Sequence, residues 1–218
     1  MHILMIEGNS GPGSETGDAL IRLGYTVSWL KDARSAWGTV RNRTADLILI
    51  DLDFPEWNGI DAVKHARSAR RDTPILVTSS ASDLSVRVAA LDAGADDYMA
   101  RPVHIDELAA RIRSLIRRRR GFSVNRLVAG EVSLDLGTSE VTFRGEKVSL
   151  TRRELALVQS LVGNAGRFVP RHSLEDSIYG LDMVVGDNAI EVLVHGLRRK
   201  LSSGTIRNVR GIGYSIAQ

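Results

Sequence analysis

The sequence predicts two unlike units in one chain: an α/β domain wound on both faces of a five-stranded parallel sheet, followed by a smaller α+β domain. Length is the first reason, because 218 residues with 43% apolar content are rather long for one core and enough for two. Pattern is the second. Short uninterrupted apolar runs alternate with amphipathic stretches through the first half, then give way to two-residue alternation. Charge is the third: residues 1–116 carry 13 Lys and Arg against 16 Asp and Glu, a net −3, whereas 117–218 carry 16 against 10, a net +6. A basic second half fits a polyanionic partner or, more plainly, a solvated basic surface.

No stretch approaches the roughly 20 apolar residues of a membrane span, and MHILMIEG is too short and too quickly acidic for a signal peptide. The expectation is a soluble cytoplasmic protein with no membrane partner. Zero cysteines exclude disulfides, Cys-ligated zinc and thiol catalysis, and the five histidines show no HExxH spacing.

Ile3 to Ile6 is a first strand ending at Glu7, and the glycine-rich loop from Gly8 to Ser14 lacks the Lys-Ser/Thr that a phosphate loop needs. A helix follows from about Ser14 to Leu23. Tyr25 to Leu30 makes a second strand and Ala33 to Arg43 a second helix. Leu47 to Asp51 is the central strand: four apolar residues in a row, two of them β-branched, read as buried on both faces. Asn58-Gly59 opens a helix through Arg70, and Pro74 to Ser79 is the fourth strand. A helix from Asp83 to Ala93 leads to a fifth strand from Gly94 to Ala100, and a last helix carries the stripe Leu108, Ile112, Leu115 and Ile116.

In such a sheet Glu7, Asp51, Ser79 and Arg101 fall at the carboxyl ends of strands one, three, four and five, the edge where open α/β sheets bind ligands. Two acids, a hydroxyl and a guanidinium suit a phosphoryl group bound through a divalent metal. No general base is evident, so the site is better suited to receiving a phosphoryl group on Asp51 than to turning over a substrate. Taken alone, Asp51 is as well explained as a loop cap.

Arg117 to Arg120 ends the helix, and Gly121-Phe122-Ser123 starts a linker, which sets the bounds at 1–117, 118–124 and 125–218. Val132 to Leu136, Glu140 to Arg144 and Lys147 to Leu150 form a small antiparallel sheet. Thr151-Arg152-Arg153-Glu154 is a capping box, and Leu155, Val158, Leu161 and Val162 give the next helix its core face. A second helix covers Arg171 to Tyr179. The loop Gly180 to Gly186 leads to Asp187, the expected N-cap of a third helix with a buried stripe of Ile190, Val194, Leu197 and Leu201. That leaves Asn188, Glu191, Val192, His195, Arg198 and Arg199 turned outward. Thr205 to Val209 and Ile212 to Ile216 flank Arg210-Gly211, and three helices followed by such a hairpin describe a winged helix-turn-helix.

LILIDLDFPEWNG, the strand ending at Ser79, and ALDAGADDYMARP resemble a response-regulator receiver domain of the flavodoxin-like or CheY-like kind. With RRKL and NVRGIGYSI, nearly the whole chain resembles the OmpR/PhoB family of two-component transcription factors. The resemblance implies Asp51 as phosphoacceptor, Ser79 as switch hydroxyl, Tyr98 as an aromatic whose position follows phosphorylation, and Arg101 beside the phosphate. It implies Mg2+ on Glu7, Asp51 and Asp53, and a homodimer through Arg87, Asp97, Glu107, Arg111 and Arg118. It also implies a third helix in the major groove of double-stranded DNA, Arg210 in the adjacent minor groove, a sensor histidine kinase as donor, and RNA polymerase at the 180–186 loop.

Three residues depart from the family pattern. Gly8 stands where a second acid is usual, which weakens an Mg2+ site unless Asp53 supplies a carboxylate from the opposite loop. Arg101 replaces the usual lysine, and Gly196 stands where an arginine often contacts DNA. Two readings of the receiver follow: phosphorylation on Asp51, or a degenerate pocket that dimerises without phosphate. The rival from another class is a haloacid-dehalogenase-like phosphatase, whose Asp-x-Asp nucleophile motif Asp51-Leu52-Asp53 also fits.

Overall fold

The computed structural model describes residues 1–7, 14–30, 33–53, 58–81, 83–121, 125–181, 183 and 185–216. The glycine-rich loop at 8–13, Phe54, Pro55 and Trp57 after the central strand, and residues 122–124 of the expected linker lie outside them. Two compact units result, His2–Gly121 and the remainder from residue 122 onward.

In the first unit, β1 (His2–Ile6), β2 (Thr26–Leu30), β3 (Leu47–Asp51), β4 (Ile75–Ser79) and β5 (Asp97–Ala100) form one parallel sheet in the order β2-β1-β3-β4-β5. Every residue of β1, β3 and β4 is buried, which is why these strands read as unbroken apolar runs. Helices α1 (Glu15–Arg22), α2 (Ala33–Asn42), α3 (Gly59–Ala69), α4 (Leu84–Asp92) and α5 (Ile105–Arg119) alternate with the strands. Ser14, Asn58 and Asp83 cap α1, α3 and α4 through their side-chain oxygens.

The sequence pattern misplaces two boundaries. The fifth strand starts at Asp97, not Gly94, because the Gly94 and Ala95 N–H groups turn back onto the Leu91 and Ala90 carbonyls and finish α4. The Asp96 carboxylate then accepts from Ile75 N at 2.7 Å and from Arg67 at 2.5 Å. At the other end, α5 continues past residue 117. Arg119 donates to the Ala45 carbonyl at 3.2 Å and Arg120 to Asp46 Oδ1 at 2.7 Å, so residues 118–121 belong to the first unit and not to a linker.

The second unit has a four-stranded antiparallel sheet, β6 (Arg126–Ala129), β7 (Val132–Asp135), β8 (Val141–Phe143) and β9 (Glu146–Lys147), then α6 (Arg152–Val162), α7 (Arg171–Tyr179) and α8 (Ala189–Lys200), then the hairpin β10 (Ile206–Val209) and β11 (Gly213–Ile216). β6 is unexpected; only Leu127 and Ala129 of its four residues face the core, too short an alternation to stand out. The capping box at Thr151 is present with both hydrogen bonds. Val158, Leu161 and Val162 are buried as expected, and Leu155 is half-buried. Asn188, not Asp187, stands at the N-cap position of α8, with no side-chain capping bond, and the Asp187 carbonyl is taken by Arg171.

Two of these contacts carry stability. Burial alone pushes the Asp46 carboxyl up, but nearby positive charge, Arg120 foremost, and the His2 N–H bring it down to about 2. At Gly213, with φ of 140°, an added Cβ would lie 2.1 Å from the Val169 carbonyl oxygen, in the bridge where Val169 and Tyr214 exchange N–H···O bonds at 2.7 and 3.0 Å. A folded pKa below the ordinary 3.8 makes the Asp46 contribution, about 2 kcal/mol, fully present above pH 4 and lost as pH falls towards 2. Urea unfolding of the first unit should therefore show a deficit in Asp46→Asn at pH 7 that shrinks in that acid window. Gly213→Ala should destabilise the second unit by more than about 1 kcal/mol, read from its own melting transition.

Candidate functional site

The parallel register sets the carboxyl ends of β1, β3, β4 and β5 side by side, with Ile6 opposite Ile50, Asp51 opposite Thr78, and Ser79 opposite Ala100. Glu7, Asp51, Ser79 and Arg101 thus come to one edge as expected. Arg101 holds the centre: its Nη2 is 2.5 Å from Asp51 Oδ2 and 3.6 Å from Glu7 Oε1, and its Nη1 is 3.9 Å from Asp53 Oδ2. Asp51 is 7% exposed and lines a small cleft with Glu7, Thr16, Thr78, Arg101 and Val103. Its Oδ1 accepts from the Asp53 N–H at 3.0 Å. Gly59 sits at the start of α3 because a Cβ there would lie 2.6 Å from Leu52 Cα, so its lack of a side chain lets the helix close against the loop that follows Asp51.

Asp53 does not stand free. Ser79 Oγ donates to its Oδ1 at 2.9 Å and the Ser80 N–H to its Oδ2 at 2.6 Å. Burial pushes its carboxyl up, yet these donors together with Arg101 hold it below the usual carboxylate range. Ser79 Oγ in turn accepts from the Ala81 N–H at 3.1 Å, and the Ala81 carbonyl takes the hydroxyl of the buried Tyr98. Ala81 therefore joins the two expected switch residues, Ser79 and Tyr98, through its main chain, while the Ser80 main chain holds Asp53; the sequence marks neither. Backbone donors and acceptors leave no mark in residue type, so sequence carries no signal for them.

Of the five charged residues expected at the dimer face, Arg87, Glu107 and Arg118 are exposed, and Asp97 and Arg111 are half-buried. Arg111 pairs with Asp97 and Glu107 of its own chain, each at 2.7 Å, and these bonds raise its pKa. Leu84, Val88 and Leu91 add exposed apolar surface on α4 beside Arg87.

In the second unit, Ile190, Val194, Leu197 and Leu201 are buried and Asn188, Glu191, Val192, His195 and Arg199 are exposed, a single stripe along α8. Glu191 is held at its place by Arg171 at 3.0 Å and by the Tyr214 hydroxyl at 3.2 Å. Arg198 differs from the outward reading: it is half-buried, and its Nη2 donates to the Ile206 carbonyl at 2.7 Å, bracing α8 against β10. Gly196 also lies off the stripe, where a Cβ would stand 3.2 Å from Glu154 Oε1. Arg210 is exposed at the tip of the hairpin.

Two family profiles match this chain, the response regulator receiver domain over residues 3–113 and the C-terminal domain of transcriptional regulatory proteins over residues 145–216. The chain is an OmpR/PhoB-type response regulator. It is 42% identical over 218 residues to the response regulator protein PmrA of Pseudomonas aeruginosa, covering 100% of this chain and 99% of that one. It is 39% identical over 220 residues to the transcriptional regulatory protein QseB of Escherichia coli O157:H7, covering all of both. A CheY-like receiver domain protein from Methanospirillum hungatei shares the fold of the first unit, with a TM-score of 0.52 and 23% identity over 55% of this chain and 96% of that one. The family is one of two-component transcription regulators, not of haloacid-dehalogenase-like phosphatases, and among the described residues no helix is long and apolar enough to cross a membrane.

Receiver domains in general bind Mg2+ at the phosphorylation site. Glu7, Asp51 and Asp53 are the carboxylates that would hold it, and among the described residues no group of three or more acidic or histidine side chains is already gathered for an ion. The physical reason is Arg101, whose guanidinium lies among the three carboxylates, and Ser79 and Ser80, which draw Asp53 aside.

The position of Arg198 has a consequence for mutagenesis. Arg198→Ala should lower the unfolding free energy of the second unit by about 1–3 kcal/mol, because it removes the donor of a half-buried carbonyl. Thermal melts of variant and wild type check this in the absence of DNA.

Proposed function

We propose that this regulator accepts a phosphoryl group on Asp51 from a sensor histidine kinase and then binds tandem operator half-sites as a receiver-mediated dimer. The observation that supports this best is the setting of Asp51, nearly buried at the carboxyl end of β3 with a guanidinium at 2.5 Å and the Ser79 hydroxyl at the next strand end. In the transfer, a carboxylate oxygen of Asp51 attacks phosphorus, the P–N bond to the kinase imidazole breaks, and the bond electrons stay with the imidazole nitrogen, which takes up a proton. Arg101 is in place to meet the phosphoryl oxygens. A Ser79 hydroxyl that leaves Asp53 for the phosphoryl group draws on Ala81, and through it on the buried Tyr98 beside the dimer face.

On DNA, the exposed stripe of α8 reads the major groove through Asn188, Glu191, Val192, His195 and Arg199, and Arg210 enters the neighbouring minor groove. The net +6 of residues 117–218 supplies the phosphate attraction. The dimer forms through the face carrying Arg87, Asp97, Glu107, Arg111 and Arg118, with the apolar surface of α4 between them. The 180–186 loop, whose Met183 is exposed, is the surface offered to RNA polymerase, and work on the chromosome places the protein in the cytoplasm.

A second reading, a regulator that binds DNA without phosphate, is favoured by one observation: Arg101 already satisfies Asp51. Gel shifts separate the two. Acetyl phosphate should tighten operator binding by wild type and leave Asp51→Ala unchanged; equal binding by both under all conditions establishes the second reading. In the same assay Arg199→Ala and Arg210→Ala should each lose about 1–3 kcal/mol of affinity at fixed salt with unaltered melting, and unchanged affinity in both would sink the assignment of the DNA face.

A further inference from the structure

The acidic pocket of the receiver is already full of donors. Asp51 Oδ1 accepts from the Asp53 N–H, Asp53 Oδ1 from Ser79 and Asp53 Oδ2 from Ser80, while Asp51 Oδ2 and Glu7 Oε1 both face Arg101 Nη2. Glu7 Oε2 is the one oxygen of the three carboxylates that is buried without a hydrogen-bond partner among the described residues. Mg2+ demands about six oxygens in near-octahedral array at about 2.1 Å, and a single free carboxylate oxygen is a poor start for that shell. Arg101 Nη2 is already within 3.6 Å of Glu7 Oε1 and 2.5 Å of Asp51 Oδ2, so an ion and the guanidinium would compete for the same two carboxylates and repel. The residue after Glu7 is a glycine and brings no carboxylate to offset that repulsion.

We infer that Arg101 is the built-in cation of this pocket: it neutralises Glu7, Asp51 and Asp53 in the way a divalent ion otherwise does, and the pocket takes no Mg2+ while the guanidinium is in place. Its planar fork suits the task, since two nitrogens reach three carboxylates from one side chain, which a single ammonium point charge does not. Where Asp51 is also the phosphoacceptor, a step that rests on the function proposed above, its modification proceeds without an added ion.

Calorimetric titration of the full-length protein with MgCl2 tests the inference. Wild type should show no saturable binding at millimolar MgCl2 and no shift of the receiver melting transition. Arg101→Gln, which is shorter but polar and removes the charge, should gain one saturable site and a melting temperature that rises with MgCl2, and adding Asp51→Asn to it should abolish both. Saturable binding to wild type that Asp51→Asn removes overturns the inference, as does an Arg101→Gln protein that folds and gains none. If Arg101→Gln does not fold, wild type against Asp51→Asn still decides between these outcomes. Labelling with acetyl phosphate in EDTA and in MgCl2 separates the two proposals: equal labelling supports both, and labelling only with MgCl2 overturns the built-in cation. Absence of labelling in either buffer removes the phosphoacceptor reading and leaves the ion inference to the titration.

Discussion

Carboxylates at the end of a buried parallel sheet cannot sit together uncompensated, because each loses hydration and each repels the others. In this regulator the compensation comes from one guanidinium. Arg101 reaches Asp51 at 2.5 Å and stands within 3.9 Å of Glu7 and Asp53, and the rest of the receiver edge is arranged around it. The fold supplies the placement, since four parallel strands in register bring four chain segments to one line, and their carboxyl ends face the same side. Chemistry supplies the consequence: an anion bound at Asp51 meets a cation that is already oriented.

The same edge carries a series of hydrogen bonds that leads away from the pocket. Asp53, Ser79, Ala81 and Tyr98 form a continuous series of hydrogen bonds, three of them to or from loop atoms after β3 and β4. Tyr98 lies in β5, between the pocket and the face where Arg111 joins Asp97 and Glu107. A hydroxyl that changes partner at one end has a defined neighbour to disturb at each step, which is what a two-state element requires.

In the second unit rigidity serves a different end. Helix α8 is held at three places: Lys200 on Glu154 at 2.7 Å, Arg198 on the Ile206 carbonyl, and Glu191 on Arg171 and Tyr214. Glu154 does double duty. It closes the capping box of α6 and, held below the usual carboxylate range against the opposing effect of burial by Lys200 and Thr151, anchors the end of α8. Gly196 belongs to this frame, since the space its side chain would take is bordered by that carboxylate.

Much of this was legible beforehand. Short apolar runs, rich in β-branched residues and bounded by turn signals, read as strands covered on both faces, so the sequence by itself determined the parallel sheet, the order of its elements, and the meeting of Glu7, Asp51, Ser79 and Arg101. Helical periodicity likewise determined the buried and exposed faces of α8. Charge and periodicity do not say where a long side chain ends, however. Arg198 lies at the margin of the outward stripe, and only the packing of β10 beside it brings its guanidinium onto the Ile206 carbonyl. Asp53 carries the formal charge of a metal ligand, and only the folded chain brings Ser79 and Ser80 onto its two oxygens with Arg101 beside them. Strand and helix patterns survive in sequence because they repeat over many residues, whereas the partner of one polar atom depends on a neighbour that only the folded chain brings near.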